Sequence, residues 1–169
     1  MRTCTAIVAA ACVAAAVTAM PCPGSKAGLH ASCQVESTIA AACGAVAAEV
    51  TARINGQPGK WSDPHNNGTY TLDSSSATSL AVHRVTGNGD YTDKMTLTLT
   101  DSGSSCNVQA CSESQVTSVA DASTNYCNTR NLLCGAGDGC KPVLHDAAYS
   151  ESNVKPSFGA GSSKGDCLK

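Results

Sequence analysis

A chain of 169 residues with 11 Lys+Arg against 13 Asp+Glu carries a formal charge of −2, so it lacks the basic face that nucleic acid or anionic lipid requires. The length suits one ordinary domain after an apolar leader is subtracted. Although 42% of the residues are hydrophobic, 26 are Ala, 11 are Cys and only six are aromatic, so large core residues are scarce; a Cys-rich, charge-poor, Ser/Thr/Asn-rich chain points away from a cytosolic enzyme and toward an exported, bridged module.

The chain opens with Arg2 and an apolar, Ala-dominated run over residues 5–19, stopped by Pro21 and Pro23. This reads as a signal peptide within residues 1–27, because the run is too short to span a membrane. Cleavage fits after Ala19 or after Ala27. Cysteine parity favours Ala27, which leaves residues 28–169 as one secreted or lumenal domain with no transmembrane segment and eight cysteines: Cys33, Cys43, Cys106, Cys111, Cys127, Cys134, Cys140 and Cys167. Their irregular spacing carries no zinc signature, so four disulfides are expected, with connectivity open. Cleavage after Ala19 would keep Cys22 as an odd ninth thiol.

Between residues 35 and 54, Val35, Ile39, Val46, Val50 and Ile54 fall on steps of three and four once Ala42 and Cys43 fill the gap. That spacing predicts one helix, with Ser32 as N-cap, Glu36 in the favourable first turns and Asn55-Gly56 as the stop. After a loop over 57–67 the period changes to two. Tyr70 and Leu72, then Leu80 and Val82, then Met95, Leu97 and Leu99 alternate with smaller or polar residues, predicting three half-buried strands. Gly87-Asn88-Gly89-Asp90 is a hairpin signal between the second and third. A fourth strand is expected over 114–119, with 106–111 its lead-in or a bulged portion. Residues 126–134 suit a helix or a strand, 135–139 a turn, and 150–169 an extended tail pinned by Cys167.

The implied fold is α+β, an N-terminal helix packed on an antiparallel sheet of about four strands, with a disulfide-stapled, loop-rich C-terminal half. This order resembles cystatin-like folds. The inhibitory hairpin of that family is missing, since Gln115-Val116-Thr117-Ser118-Val119 has Thr and Val where the motif needs Val and Gly.

Three polar clusters are candidate sites. In the first, Trp61 to Tyr70, Asp63 could orient His65 as a general base beside Trp61, while Asn67-Gly68-Thr69 is the one Asn-x-Ser/Thr sequon and places a candidate glycan on Asn67. The structural alternative is a turn-rich loop feeding a strand, with Trp61 as a core or rim residue. His83 precedes the second cluster, the hairpin carrying Asn88, Asp90, Tyr91 and Asp93; its oxygens lack the closing Glu of a calcium loop. The third holds Ser112, Ser114 and Asp121, from which a Ser-His-Asp set can be assembled only on paper, because no nucleophile-elbow motif supports it. Gly135 to Gly139 lies between cysteines and does not cradle phosphate, and no metal or cofactor signature is found. His30 and His145-Asp146 read as solvated.

The functional expectation is a disulfide-stabilised binding module for an unidentified protein or small molecule. It would work through Trp61, His65, Asn67 and Tyr70 on one loop and Asn88, Asp90 and Tyr91 on the hairpin. The alternatives are a small cofactorless hydrolase or lyase using His65, Asp63 and His83, and a protease inhibitor presenting the bridged segment 127–140.

Overall fold

Period-two alternation begins earlier in the chain than the spacing of its large residues implies. In the computed structural model, which describes residues 22–169, Ser32–Ile39 is a strand, β1, that buries Cys33, Val35, Ser37 and Ile39. The predicted helix is therefore shorter: α1 spans Cys43–Asn55 with Ala42 at its N-cap and Gly56 at its end. Ser32 is no cap, and Glu36 is a strand residue. The signal-peptide reading of residues 1–21 lies outside the described residues.

The chain continues through β2 (Thr69–Ser75), β3 (Ser79–Val85), β4 (Thr92–Ser102), β5 (Ser105–Ser114), α2 (Thr124–Leu133) and β6 (Tyr149–Pro156), with short 3-10 turns at Ala136–Asp138 and Lys164–Leu168. The six strands form one antiparallel sheet in the order β2-β3-β4-β5-β1-β6. The α+β class holds. The cystatin-like order does not, because α1 follows a strand and that strand inserts between β5 and β6. The fourth strand expected over 114–119 is β5, ending at Ser114. In the segment 150–169, the first part belongs to β6, which pairs along β1 as the far edge of the sheet, and Cys167 is bridged to Cys127.

Both helices lie on one face of the sheet, and the register fixes what they meet there. Leu80, Leu97, Ala110 and Val35 stand in one row across β3, β4, β5 and β1. Val82, Met95, Ser112 and Cys33 form the next. At the end of the sheet the row becomes polar: Tyr70 on β2 faces Arg84, Arg84 faces Asp93, and Asp93 faces Ser114. The apolar rows take Val46, Val50 and Ile54 of α1 and Leu132 of α2. The polar row takes Asn125 and Asn128 of α2, whose amides supply the hydrogen bonds that buried polar groups require.

Four disulfides hold these layers: Cys22–Cys111, Cys43–Cys106, Cys127–Cys167 and Cys134–Cys140. The number matches expectation but the set differs, because Cys22 is bridged and Cys33 is a buried free thiol. Parity alone had no way to tell which cysteine is the odd one. Among the described residues no helix is long and apolar enough to cross a membrane.

Candidate binding site

The loop between α1 and β2 is a structural core element. Trp61 is 4% exposed and meets Tyr70 edge-on at 5.6 Å, so neither ring offers a docking surface. Asp63 does not orient the His65 ring. Its carboxylate receives Arg84 Nε at 2.9 Å and Nη2 at 2.5 Å, Asn131 Nδ2 at 3.0 Å, and the backbone N–H of His65 at 3.1 Å. This is a buried ion pair in which two guanidinium nitrogens converge on Asp63 Oδ2, while Oδ1 takes the Asn131 amide and the His65 N–H. Gly68 is required beside it, because a Cβ there would run into the Arg84 guanidinium.

His65 is buried on the α2 side. Its Nδ1–H donates to the Asp166 carbonyl at 2.9 Å, leaving Nε2 against Thr124 Oγ1 at 3.1 Å. The single Thr124 hydroxyl proton goes to the Asp121 carbonyl at 2.5 Å, and the imidazole packs against that hydroxyl at the start of α2. His83 alternates away from Arg84 along β3, half-exposed, with Nδ1 2.6 Å from Asp73 Oδ1 on the neighbouring strand. The structure thus separates His65, Asp63 and His83 into three different partnerships. Ser112 donates to Asn125 and Ser114 to Asp93, with no histidine bonded to either. Residues 127–134, in α2 and at its end, are buried, whereas Ala136, Gly137 and Gly139 in the loop closed by Cys134–Cys140 are exposed.

The hairpin contributes to a different feature. Between the β3–β4 turn, the end of β5 and the start of α2 lies a cleft of about 400 Å³, lined by Asn66, Thr86, Asn88, Tyr91, Asp93, Ser114, Asp121 and Thr124, among others. That is the size of a small-molecule site. Asp93 is 1% exposed, sits on the inner face of β4 and lines the cleft; its Oδ1 accepts from Ser114 Oγ at 2.7 Å and its Oδ2 from Asn128 Nδ2 at 2.8 Å. Tyr91 stands at the rim, 43% exposed. Asn88 and Asp90 bond each other at 2.6 Å within the turn, and Asp93 points inward from β4, so the three do not converge as a calcium loop.

Strained backbone frames the same cleft. Asn66 (φ 50°), Ala122 (φ 48°) and Ser123 (φ 67°) are left-handed without being glycine. Two consecutive residues in that region cost energy that the surroundings must repay, and such strain clusters at functional sites. Here Asp121 holds the turn: Oδ1 accepts from Ser123 N and Gly161 N, and Oδ2 from Asn125 N and Nδ2. Asn67 is exposed beside a smaller pocket of about 160 Å³ lined by Trp61, Asp63, Asn131 and Lys141.

Sequence reasoning found the hairpin residues of the cleft but missed the roles of Thr124, Arg84 and Asn128. The available signal was the interruption of alternating apolar strands by Arg84, Asp93 and Ser114 in one inward row and Ser112 in the row beside it, positions that a purely structural sheet would fill with Val or Ile. Compared with family models, with curated proteins and with solved structures, the chain finds no match in any of the three.

Proposed function

We propose that the protein is an exported, disulfide-stabilised binding module whose ligand site is the cleft between the β3–β4 hairpin and the start of α2. The observation that carries this reading is the convergence of hydrogen-bonding side chains from two strands, the loops and turn beside them and a helix on one ligand-sized cleft floored by a buried carboxylate. Sheet and helix fix the floor, while the turn at 86–91 and the loop at 118–123 supply the walls, the usual division between rigid scaffold and recognition loops. Export is supported by the four disulfides, which persist in oxidising compartments.

The test is a thermal-shift screen with neutral sugars, amines and carboxylates on the wild type and on Ala120→Trp, which fills the cleft from an exposed position. Compounds that raise the wild-type Tm should have no effect on the variant, whose own Tm should be unchanged. Equal responses from both proteins would place binding elsewhere, and no response to any class would remove the proposal.

A further inference from the structure

We infer that the cleft takes a small organic cation, an ammonium or guanidinium group seated against Asp93 with its stem beside Tyr91; this rests on the cleft being a ligand site. Its lining contains two carboxylates, Asp93 and Asp121, and no Lys, Arg or His. The two differ in availability. Asp121 already accepts four N–H bonds and acts as a fixed negative charge, whereas Asp93 accepts only two, leaving lone pairs beside the cleft.

The cation nearest to Asp93 in register makes no hydrogen bond or ion pair with it, although the two charges attract across the strands. Arg84, opposite Asp93 on β3, directs Nε and Nη2 at Asp63 and shares Nη2 with the His65 carbonyl and Asn66 Oδ1, each at 2.6 Å. One guanidinium charge is thus matched by Asp63, and Asp93 has no ion-pair partner among the described residues. A buried carboxylate in this state gains most from a cationic ligand and repels an anionic one. A neutral sugar would satisfy hydrogen bonds but leave the charge unmatched. Tyr91 at the rim adds an aromatic face of the kind that attracts ammonium and guanidinium groups.

The experiment is calorimetric titration of the full oxidised protein with cadaverine, Nα-acetylargininamide, glucose and acetate. Both cations should bind, glucose and acetate should not, and the tighter cation tells a free diamine from a peptide side chain. Asp93→Asn keeps an acceptor for Ser114 and should weaken cation binding about tenfold or more. Ala120→Lys places a charge in the cleft from an exposed position, leaves the buried bonds intact and should weaken binding similarly, so the test survives if the first variant fails to fold. Glucose binding without cation binding would overturn the cation assignment while leaving the cleft a binding site. Cation binding unchanged in both variants would overturn the assignment to this cleft, and the absence of any binding would overturn it outright, the screen with Ala120→Trp then deciding separately whether the cleft binds anything.

Discussion

Cys33, on the buried face of β1, packs with Tyr126 and the Cys127–Cys167 bridge. Burial, reinforced by the negative charges of Asp121 and Glu151, pushes its thiol up to about 12, so almost no thiolate exists at neutral pH and the residue is inert. Iodoacetamide should leave the native protein unmodified, and should label one thiol after denaturation without reductant; rapid labelling of the native state would contradict this placement. The same scale explains why Asp63 and His65 misled as a pair. An aspartate binds the backbone N–H two residues on, as turn-forming residues do, and that contact says nothing about the imidazole ring. The partner that defines Asp63 is Arg84, on a strand 21 residues away, and no local pattern announces it.

The elements are joined by a second buried ion pair that the sequence did not single out. Glu49 and Arg53, four apart on α1, lie 2.8 Å apart, and Arg53 extends to the carbonyls of Asn131 and Cys134 at the end of α2. Glu49 also accepts three successive backbone N–H groups, from Val143, Leu144 and His145. Burial by itself would raise the Glu49 pKa, but the bonds from Arg53 and from the three amides outweigh it and hold it below its ordinary value. Glu151, which takes the hydroxyls of Tyr126 and Tyr149 and the Lys164 ammonium, is lowered against its own burial in the same way.

A depressed folded-state pKa contributes stability above the unfolded value and loses it as pH falls through the folded one. Urea midpoints should therefore be flat at neutral pH and fall steadily below about pH 4.5, the region of the unfolded glutamate pKa. Glu49→Gln should destabilise by about 3 kcal/mol, because it leaves Arg53 buried without its counter-charge, and should flatten part of that acid slope. A midpoint unaffected by the substitution would mean that the clamp contributes nothing. At this scale β3, β4, the hairpin between them and α1 from Val46 onward were legible from periodicity. The α1 start was not, because β1 buries a polar Ser37, which breaks its alternation, and Ala40-Ala41-Ala42 lets the spacing run unbroken into the helix. The cleft was half legible: its turn residues carry a signal, while its floor depends on strand register.

For the whole molecule, covalent closure stands in for a thin core. The Cys22–Cys111 bridge closes a sequence separation of 89 and ties the segment before β1 to β5, where Gly24 N also donates to Glu113 at 2.6 Å and His30 reaches the same carboxylate. Such a loop corresponds to about 4.6 kcal/mol of restricted unfolded-chain entropy. A leader cleaved after Ala19 keeps this bridge, whereas cleavage after Ala27 discards it. If the chain is exported, cleavage that keeps the bridge leaves Met20 first, and a chain starting at Gly28 is expected to unfold several degrees lower than one starting at Met20 and to take up one more alkyl group after denaturation. Equal stability of the two forms would show that the bridge is dispensable.

The central claim, that the cleft binds a small organic cation, is tested most directly by amide chemical shifts of the isotope-labelled protein titrated with cadaverine. The account predicts saturable shifts confined to Asn66, residues 86–93 and residues 114–124, abolished in Ala120→Trp. Shifts gathered instead around Trp61, Asn131 and Lys141, or a spectrum that does not change at millimolar ligand, would contradict it.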